Sequence, residues 1–232
     1  MLRRKYGGPR RVGFTLLELL VVLAIIAVLM SLLFPVIRRV HDTAKMVQCQ
    51  TNMRQFVQAS LVYACEYDGM LPQPNWGGQD GPNKPGWLYL NLPTNDPNLV
   101  RTGVLWKYIN DLRCYHCPLD TGPYPLFNGR PVNTQNLTSY LMNGAVDNYG
   151  ANAWPYKLAR MKPTGILLWE ASDSGDYAWN DGSSYPTEGE TTRHGRGGAC
   201  IGCFDGHTEM IGHDEYLNIQ NQNPGPLYCV PQ

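Results

Sequence analysis

From Phe14 to Ile37 the chain is almost wholly apolar for 24 residues, with a single carboxylate, Glu18, near the start of the run. At about 1.5 Å per residue, such a run spans a bilayer core of roughly 30 Å as a helix. Desolvating a carboxylate in hydrocarbon is costly, so Glu18 is the position that calls for a partner. Beyond the run the pattern becomes amphipathic without a break. No Gly occurs from Val36 to Tyr67, and the one nearby proline is Pro35, at the membrane edge. Val36, Val40 and Val47 form one stripe; Phe56, Ser60, Tyr63 and Tyr67 form another, with Val57, Leu61 and Ala64 beside it, at the three-and-four spacing of a helix face. A continuous helix from Phe14 to Tyr67 is predicted, about 80 Å long, with Asp68-Gly69 as its stop. A domain of this size cannot cover that length alone. Its own domain suits the half after about Thr51, lipid suits the first part, and other copies are the remaining way to bury the stripe between, as in a filament built from contacts that do not close.

After Gly69 the pattern loses its helical period. A Pro-, Gly- and Asn-rich stretch to about Asn98 reads as a surface connection with Trp76 and Trp87 as anchors. Short apolar runs with turn punctuation then follow at Val104–Ile109, Ser139–Met142, Gly165–Trp169, Ala199–Phe204 and His207–Ile211. The fold class this predicts is α+β: a long N-terminal α-helix, half transmembrane and half amphipathic, packed on a small antiparallel β-sheet. Asp205-Gly206, between two apolar runs, signals a hairpin with a type I′ turn.

The whole chain of 232 residues has 19 basic and 19 acidic side chains, but they are unevenly placed. Arg3, Arg4, Lys5, Arg10 and Arg11 all precede the apolar run, which by the positive-inside rule holds the N-terminus in the cytoplasm. Without those five, 14 basic residues (19 less 5) face 19 acidic ones. That balance disfavours binding to nucleic-acid phosphates. No A-x-A-like cleavage site follows Leu33, and the run is longer than the apolar region of a secretory signal peptide.

The basic leader ending at Gly13, then Phe14, Glu18 and the apolar Leu19–Leu33 up to Pro35, resembles the prepilin signal of type IV pilins and type II secretion pseudopilins. The resemblance implies cleavage after Gly13 by a membrane peptidase and N-methylation of Phe14. It also implies that Glu18, fifth in the cleaved chain, neutralises the new amine of a neighbouring subunit, and that Pro35 is the helix-kinking proline. The bland alternative is a plain signal anchor with an accidental glutamate. On the pilin reading the chain divides into a leader (1–13), a transmembrane helix (14–37), an exported helical half (38–68) and a pilin-like ectodomain (69–232).

A second resemblance covers most of the ectodomain. Cys49, Asn52, Gln55, Tyr63 and Leu71-Pro72, then Cys117-Pro118-Leu119-Asp120, Ser139-Tyr140 with Asn143, Arg193-His194 and Asp205-Gly206-His207 are similar to a pilin-like bacterial family marked by the methylation motif and a closing His-to-Asp-Gly signature. That family usually has nine residues between the His and Asp-Gly; here there are ten, Gly195 to Phe204. Cys200 and Cys203 fall where the family prefers Asn and Phe. His194, Asp205, Gly206 and His207 are thus candidate signature residues of structural character, with packing or hydrogen bonding favoured over a metal role.

Cys49, Cys65, Cys114, Cys117, Cys200, Cys203 and Cys229 are disulfide candidates on the exported side, and their odd number leaves at least one unpaired within the chain. Cys114-x-x-Cys117 and Cys200-x-x-Cys203 also invite a zinc reading, with His116 and His207 nearby. The 82 residues between the pairs are far from zinc-ribbon spacing, and positions 200 and 203 of a strand face opposite ways. Structural disulfides or buried thiols are therefore expected, with no metal and no cofactor. Glu170, Asp173, Asp176, Asp181, Glu188 and Glu190, uninterrupted by any basic residue, lack calcium-loop spacing and read as a solvated acidic loop. Six tryptophans could stack on a sugar but more often anchor a small core. There is no nucleophile elbow, phosphate-cradling glycine loop or zinc-protease helix.

The expectation is a non-enzymatic prepilin-like subunit in the bacterial inner membrane, N-terminus in the cytoplasm and C-terminal domain outside. Its expected partners are a prepilin peptidase/methyltransferase and other pilin-like subunits of a pseudopilus or type IV pilus-like filament of a secretion system, with no nucleic acid. The alternatives are an ectodomain that binds a ligand such as a glycan, or acts as an enzyme, using the helix as a tether, and a minor pilin that takes up DNA.

Overall fold

The computed structural model describes residues 15–76, 86–90, 97–121, 126–127, 130–131, 137–170, 172 and 182–231. Gly13 and Phe14, the proposed processing residues, lie outside the described residues, as do Asp173, Asp176 and Asp181. Packing divides the chain into two units, Met1–Thr43 and Ala44–Gln232.

The first unit, as far as it is described, is helix. Helix α1, Leu16–Glu66, has 51 residues and runs through Pro35. Proline has no N–H, so the helix loses one i→i−4 bond there. Thr15 and Glu18 form a reciprocal capping box: the Glu18 carboxylate accepts from the Thr15 amide and hydroxyl, each at 2.8 Å, and the Glu18 amide donates to Thr15 Oγ1 at 3.2 Å. The large apolar side chains from Leu16 to Ile37 are exposed around the whole circumference, and so is Val40.

The second unit begins where α1 turns amphipathic. Cys49, Asn52, Met53, Phe56, Val57, Ala59, Ser60 and Ala64 are buried, whereas Thr51, Arg54, Gln58, Val62, Cys65 and Glu66 are exposed. The helix ends as its sequence predicts: Asp68 (φ 52°) and Gly69 (φ 79°) take left-handed conformations, and the Gly69 amide returns to the Ala64 carbonyl at 2.8 Å. Val47, within this unit, remains 52% exposed.

The buried face of α1 packs on a five-stranded sheet. Strands β1 (Leu126–Phe127) and β2 (Arg130–Pro131) form a separate antiparallel pair. The main sheet contains β3 (Tyr140–Asn143), β4 (Ile166–Glu170), β5 (Ser183–Ser184), β6 (Ala199–Cys203) and β7 (Thr208–Ile211), in the order β5-β3-β4-β6-β7. All its pairings are antiparallel except β3 with β5, so the sheet is mixed rather than purely antiparallel. Gly202 in β6 lets helix and sheet pack closely: a Cβ there would lie 2.3 Å from Val57 Cγ2. Phe56, on the same helix face, meets Tyr115 edge-on at 4.9 Å and Trp87 at 5.6 Å between ring centroids.

Two expectations need correction. Val104–Ile109 is not a strand: it closes as the short helix α2, Trp106–Ile109, with the Tyr108 and Ile109 amides on the Leu105 carbonyl and Asn110 as a left-handed cap. Its bulky residues suit either state, and i→i+3 and i→i+4 bonds won. The β6–β7 hairpin exists, but its turn is not type I′. Gly206 has φ 99° while Asp205 stays at negative φ, and the Gly206 amide bonds the Cys203 carbonyl at 3.0 Å. This is a three-residue loop with glycine at the left-handed position. A C-terminal helix, α3 (His213–Gln220), completes the unit and buries Tyr216 under the second face of the sheet.

Candidate functional site

The two regions singled out in the sequence, the head of α1 and the cysteines with the His-to-Asp-Gly signature, fare differently. At the head of α1, Glu18 sits in the first turn with Thr15 as its partner, and Leu16–Glu66 is long and apolar enough over its first part to cross a membrane.

Within the second unit four potential ligands converge from four elements: Cys49 on α1, Cys117 in the turn after the 3-10 helix Leu112–Tyr115, Glu170 at the end of β4, and His194 in the turn that leads to β6. One donor atom of each lies within 4.8 Å of all the others. Cys49 Sγ is 2.9 Å from Glu170 Oε1, His194 Nε2 is 3.1 Å from the same oxygen and 3.0 Å from Oε2, and Cys117 Sγ is 3.5 Å from His194 Nε2. The residues Cys49 and Glu170 are fully buried, and the His194 side chain is 1% exposed.

A shell of hydrogen bonds holds these groups. The Cys200 amide donates to Glu170 Oε2 at 2.8 Å and leaves Oε1 facing the sulfurs. Ser139 Oγ accepts from the Cys117 amide at 2.8 Å and donates to Asp120 Oδ2 at 2.6 Å, and Asp120 in turn pairs with the buried guanidinium of Arg193 at 3.3 Å. The Leu119 amide points at Cys117 Sγ from 3.4 Å. Asn52 donates to the Tyr140 hydroxyl oxygen at 3.4 Å, so the hydroxyl's own proton is available to Cys49 Sγ at 3.3 Å. His194 Nδ1 has no hydrogen-bond partner among the described residues, so the ring is oriented from its Nε2 side.

The electrostatics follow from burial against pairing. Burial works to raise the Glu170 pKa, but the hydrogen bond and charge of His194, with the Cys49 and Cys200 donors, outweigh it and hold the carboxylate below its usual range. Burial likewise works to lower His194, yet Cys117 and Glu170 raise it to about 9. The Cys49 thiol is pushed up chiefly by burial, and that of Cys117 by its Cys49 neighbour and by burial. The Glu170 carboxylate and the His194 imidazole thus favour each other's charged form, while burial opposes ionisation of the two thiols.

The sequence motifs sort themselves around this cluster. Cys49, Asn52, Cys117, Asp120, Ser139, Tyr140, Arg193 and His194, drawn from separate pieces of the second resemblance, all belong to it. Its neighbours Gln55 and Asn143 bond elsewhere, Gln55 with the Cys114 thiol at 3.1 Å and Asn143 with the Ile166 carbonyl at 2.8 Å. Asp205, Gly206 and His207 are not part of the cluster: His207, on an exposed turn, pairs with Asp205 and Glu209. Neither Cys-x-x-Cys pair acts as a unit. Cys200 and Cys203 face opposite cores, as strand alternation predicts. All seven cysteines are free thiols, six of them buried and Cys65 exposed.

Glu170 corrects the reading of a solvated acidic loop. It is fully buried, and Glu190 is 7% exposed and bonded to His213 Nδ1. The missed signal was strand alternation: counted back from Glu170, Leu168 shares its side, which is the side covered by α1. Among the described tryptophans, Trp87 and Trp169 are fully buried anchors and Trp154 is exposed.

A family model, the prokaryotic N-terminal methylation motif, matches residues 10–34. That match, with the apolar helix that follows, indicates a prepilin-type subunit of the type IV pilin-like kind and fits a membrane-anchored, single-pass protein. The closing His-to-Asp-Gly signature lies outside the matched residues. No curated protein and no solved structure is similar enough to match the chain.

Proposed function

We propose that this chain is a non-enzymatic prepilin-like subunit, inserted with its N-terminus in the cytoplasm, cleaved after Gly13 and N-methylated at Phe14. It then assembles through α1 into a pseudopilus or type IV pilus-like filament of a secretion system. The observation that carries the reading is the methylation motif at residues 10–34, most of which lies on helix α1, whose apolar side chains remain exposed down to Val40 and Val47. Val47, on the part of α1 that lies within the second unit, is exposed there, and contact with other subunits supplies its cover. Within the filament, Glu18 leaves its bond with Thr15 to pair with the methylated amine of Phe14 on an adjacent subunit.

The experiment is intact-mass measurement and filament pull-down from native membranes. Wild type should begin at N-methylated Phe14, and Gly13→Leu should keep its leader. Glu18→Ala and Glu18→Gln should both be inserted and cleaved but assemble poorly, since a buried charge without its partner costs roughly 3–5 kcal/mol. The glutamine keeps hydrogen-bonding capacity and removes only the charge. Normal assembly of Glu18→Gln would sink the charge-pair mechanism; an uncut terminus in wild type would sink the whole reading.

One observation favours the tethered ligand-binder as a second reading. A groove of about 350 Å³ is lined by Tyr63, Tyr67, Trp154 and Gln73, and the two tyrosine rings stack at 4.2 Å. Glycan-array binding by the full chain, abolished in Trp154→Ala, would support it, provided that the cleaved protein stays monomeric.

A further inference from the structure

We propose that Cys49, Cys117, His194 and Glu170 bind one zinc ion, forming a closed structural site that staples the exported half of α1 to the sheet. The donor set is the first argument. Two sulfurs, an imidazole and a carboxylate form a mixed donor set that borderline-soft zinc takes, whereas hard calcium or magnesium would want oxygens throughout. Zinc bonds of about 2.0–2.3 Å place tetrahedral ligand atoms about 3.3–3.8 Å apart. The separations here, from 2.9 Å upward and all within 4.8 Å, bracket that range. No fold rearrangement is needed to close the site.

The surroundings supply the second argument. Structural metal sites depend on outer groups that fix their ligands. Here the Cys200 amide fixes Glu170, and the Leu119 amide and the Tyr140 hydroxyl point at the two sulfurs. Donors aimed at sulfur stabilise thiolates, the form that binds metal. The Arg193–Asp120–Ser139 chain holds the Cys117 backbone.

Two rival readings of the same atoms are weaker. A Cys-His-Glu nucleophilic triad needs the carboxylate on one imidazole nitrogen and the nucleophile on the other. Here Cys117 and Glu170 both meet Nε2, and the cluster is buried from any substrate. A Cys49–Cys117 disulfide is the natural competitor in an oxidising compartment, but it would leave the buried Glu170 and His194 with no role in the site.

Zinc binding through both thiolates releases their two protons, and with the Glu170 carboxylate and a neutral imidazole the occupied site is singly negative. A zinc ion here ties four segments together, bridging 121 residues from Cys49 to Glu170 and 77 from Cys117 to His194. The site does not depend on the filament reading, because it lies wholly within the second unit.

The test uses the full chain, purified in detergent from membranes without chelator. Elemental analysis should find equimolar zinc. After removal, Co(II) alone should restore a thiolate-to-cobalt charge-transfer band with the visible absorption of a tetrahedral site. Cys117→Ser and His194→Gln should lose most of the bound metal, while Cys114→Ser keeps it. The cobalt spectrum of the wild type decides the matter even if the ligand variants fold poorly. Wild type without metal and without a cobalt–thiolate band overturns the proposal. So does a Cys49–Cys117 disulfide found by non-reducing peptide mapping, and so does metal retained equally by both ligand variants.

Discussion

Residues Leu16–Thr43 and Ala44–Glu66 belong to one helix and meet opposite demands. In the first stretch large apolar side chains are exposed on every side, from 44% at Val22 to 79% at Leu16. In the second, burial is confined to one face and the opposite face carries Arg54, Gln58 and Glu66. Both stretches read as helix from residue type, and the second folds against the sheet of its own unit. What distinguishes them is the period of the pattern rather than its total apolarity: an all-round apolar surface suits lipid, and a stripe suits a sheet.

The largest effect that sharpens this contrast is expected at Phe56. Phe56→Ala empties a site lined by Trp87, Tyr115 and Tyr140 and should cost about 3–5 kcal/mol. Urea unfolding in detergent, followed by fluorescence of buried Trp87 and Trp169, reads it directly. Leu23→Ala, an equally apolar truncation in the first stretch, should leave that midpoint unchanged; if it moves the midpoint as much, the contrast fails. Next is Gly202→Ala, whose methyl would press on Val57 and should cost about 1–3 kcal/mol by the same assay, as overpacking does. Thr15→Ala should cost about 1 kcal/mol of helix stability at the head of α1, seen as faster amide exchange in the first turn with no change in the ectodomain. The smallest effect is electrostatic. The Glu190 hydrogen bond and charge raise the pKa of exposed His213, so this pair's contribution is full below the ordinary histidine value of about 6.5 and is lost as pH rises through the raised one. His213→Gln should flatten that alkaline slope slightly and leave stability at higher pH untouched.

The long helix, its left-handed stop at Asp68-Gly69 and four strands of the sheet were legible because each is written in neighbouring residues: an apolar run, a stripe, a turn signal. Val104–Ile109 was not, since six bulky residues carry no period. Strand β5 has only two serines, Ser183 and Ser184, and forms through its pairing with β3, which no local pattern encodes. The Asp205-Gly206 hairpin was legible in place but not in turn type, because Gly206 alone takes the positive φ. The buried cluster was the least legible. Its donors come from four segments, and the spacing of the Cys-x-x-Cys pairs pointed to Cys114 and Cys203, which face other partners. Glu170 was hidden in a run of acids with no local mark to set its buried members, Glu170 and Glu190, apart.

The capping box at Thr15 and Glu18 has a consequence for how such a helix enters a bilayer. The first turn of any helix leaves amides without intrahelical acceptors, and in hydrocarbon each such group costs several kcal/mol. The Glu18 carboxylate takes up the Thr15 amide, and Thr15 takes up that of Glu18. The side chain that looks most foreign to the membrane thus seals the exposed mouth of the helix, and an apolar residue in its place would uncover the backbone beneath. A charged group at the threshold is, for a single chain waiting in lipid, a plug as much as a burden.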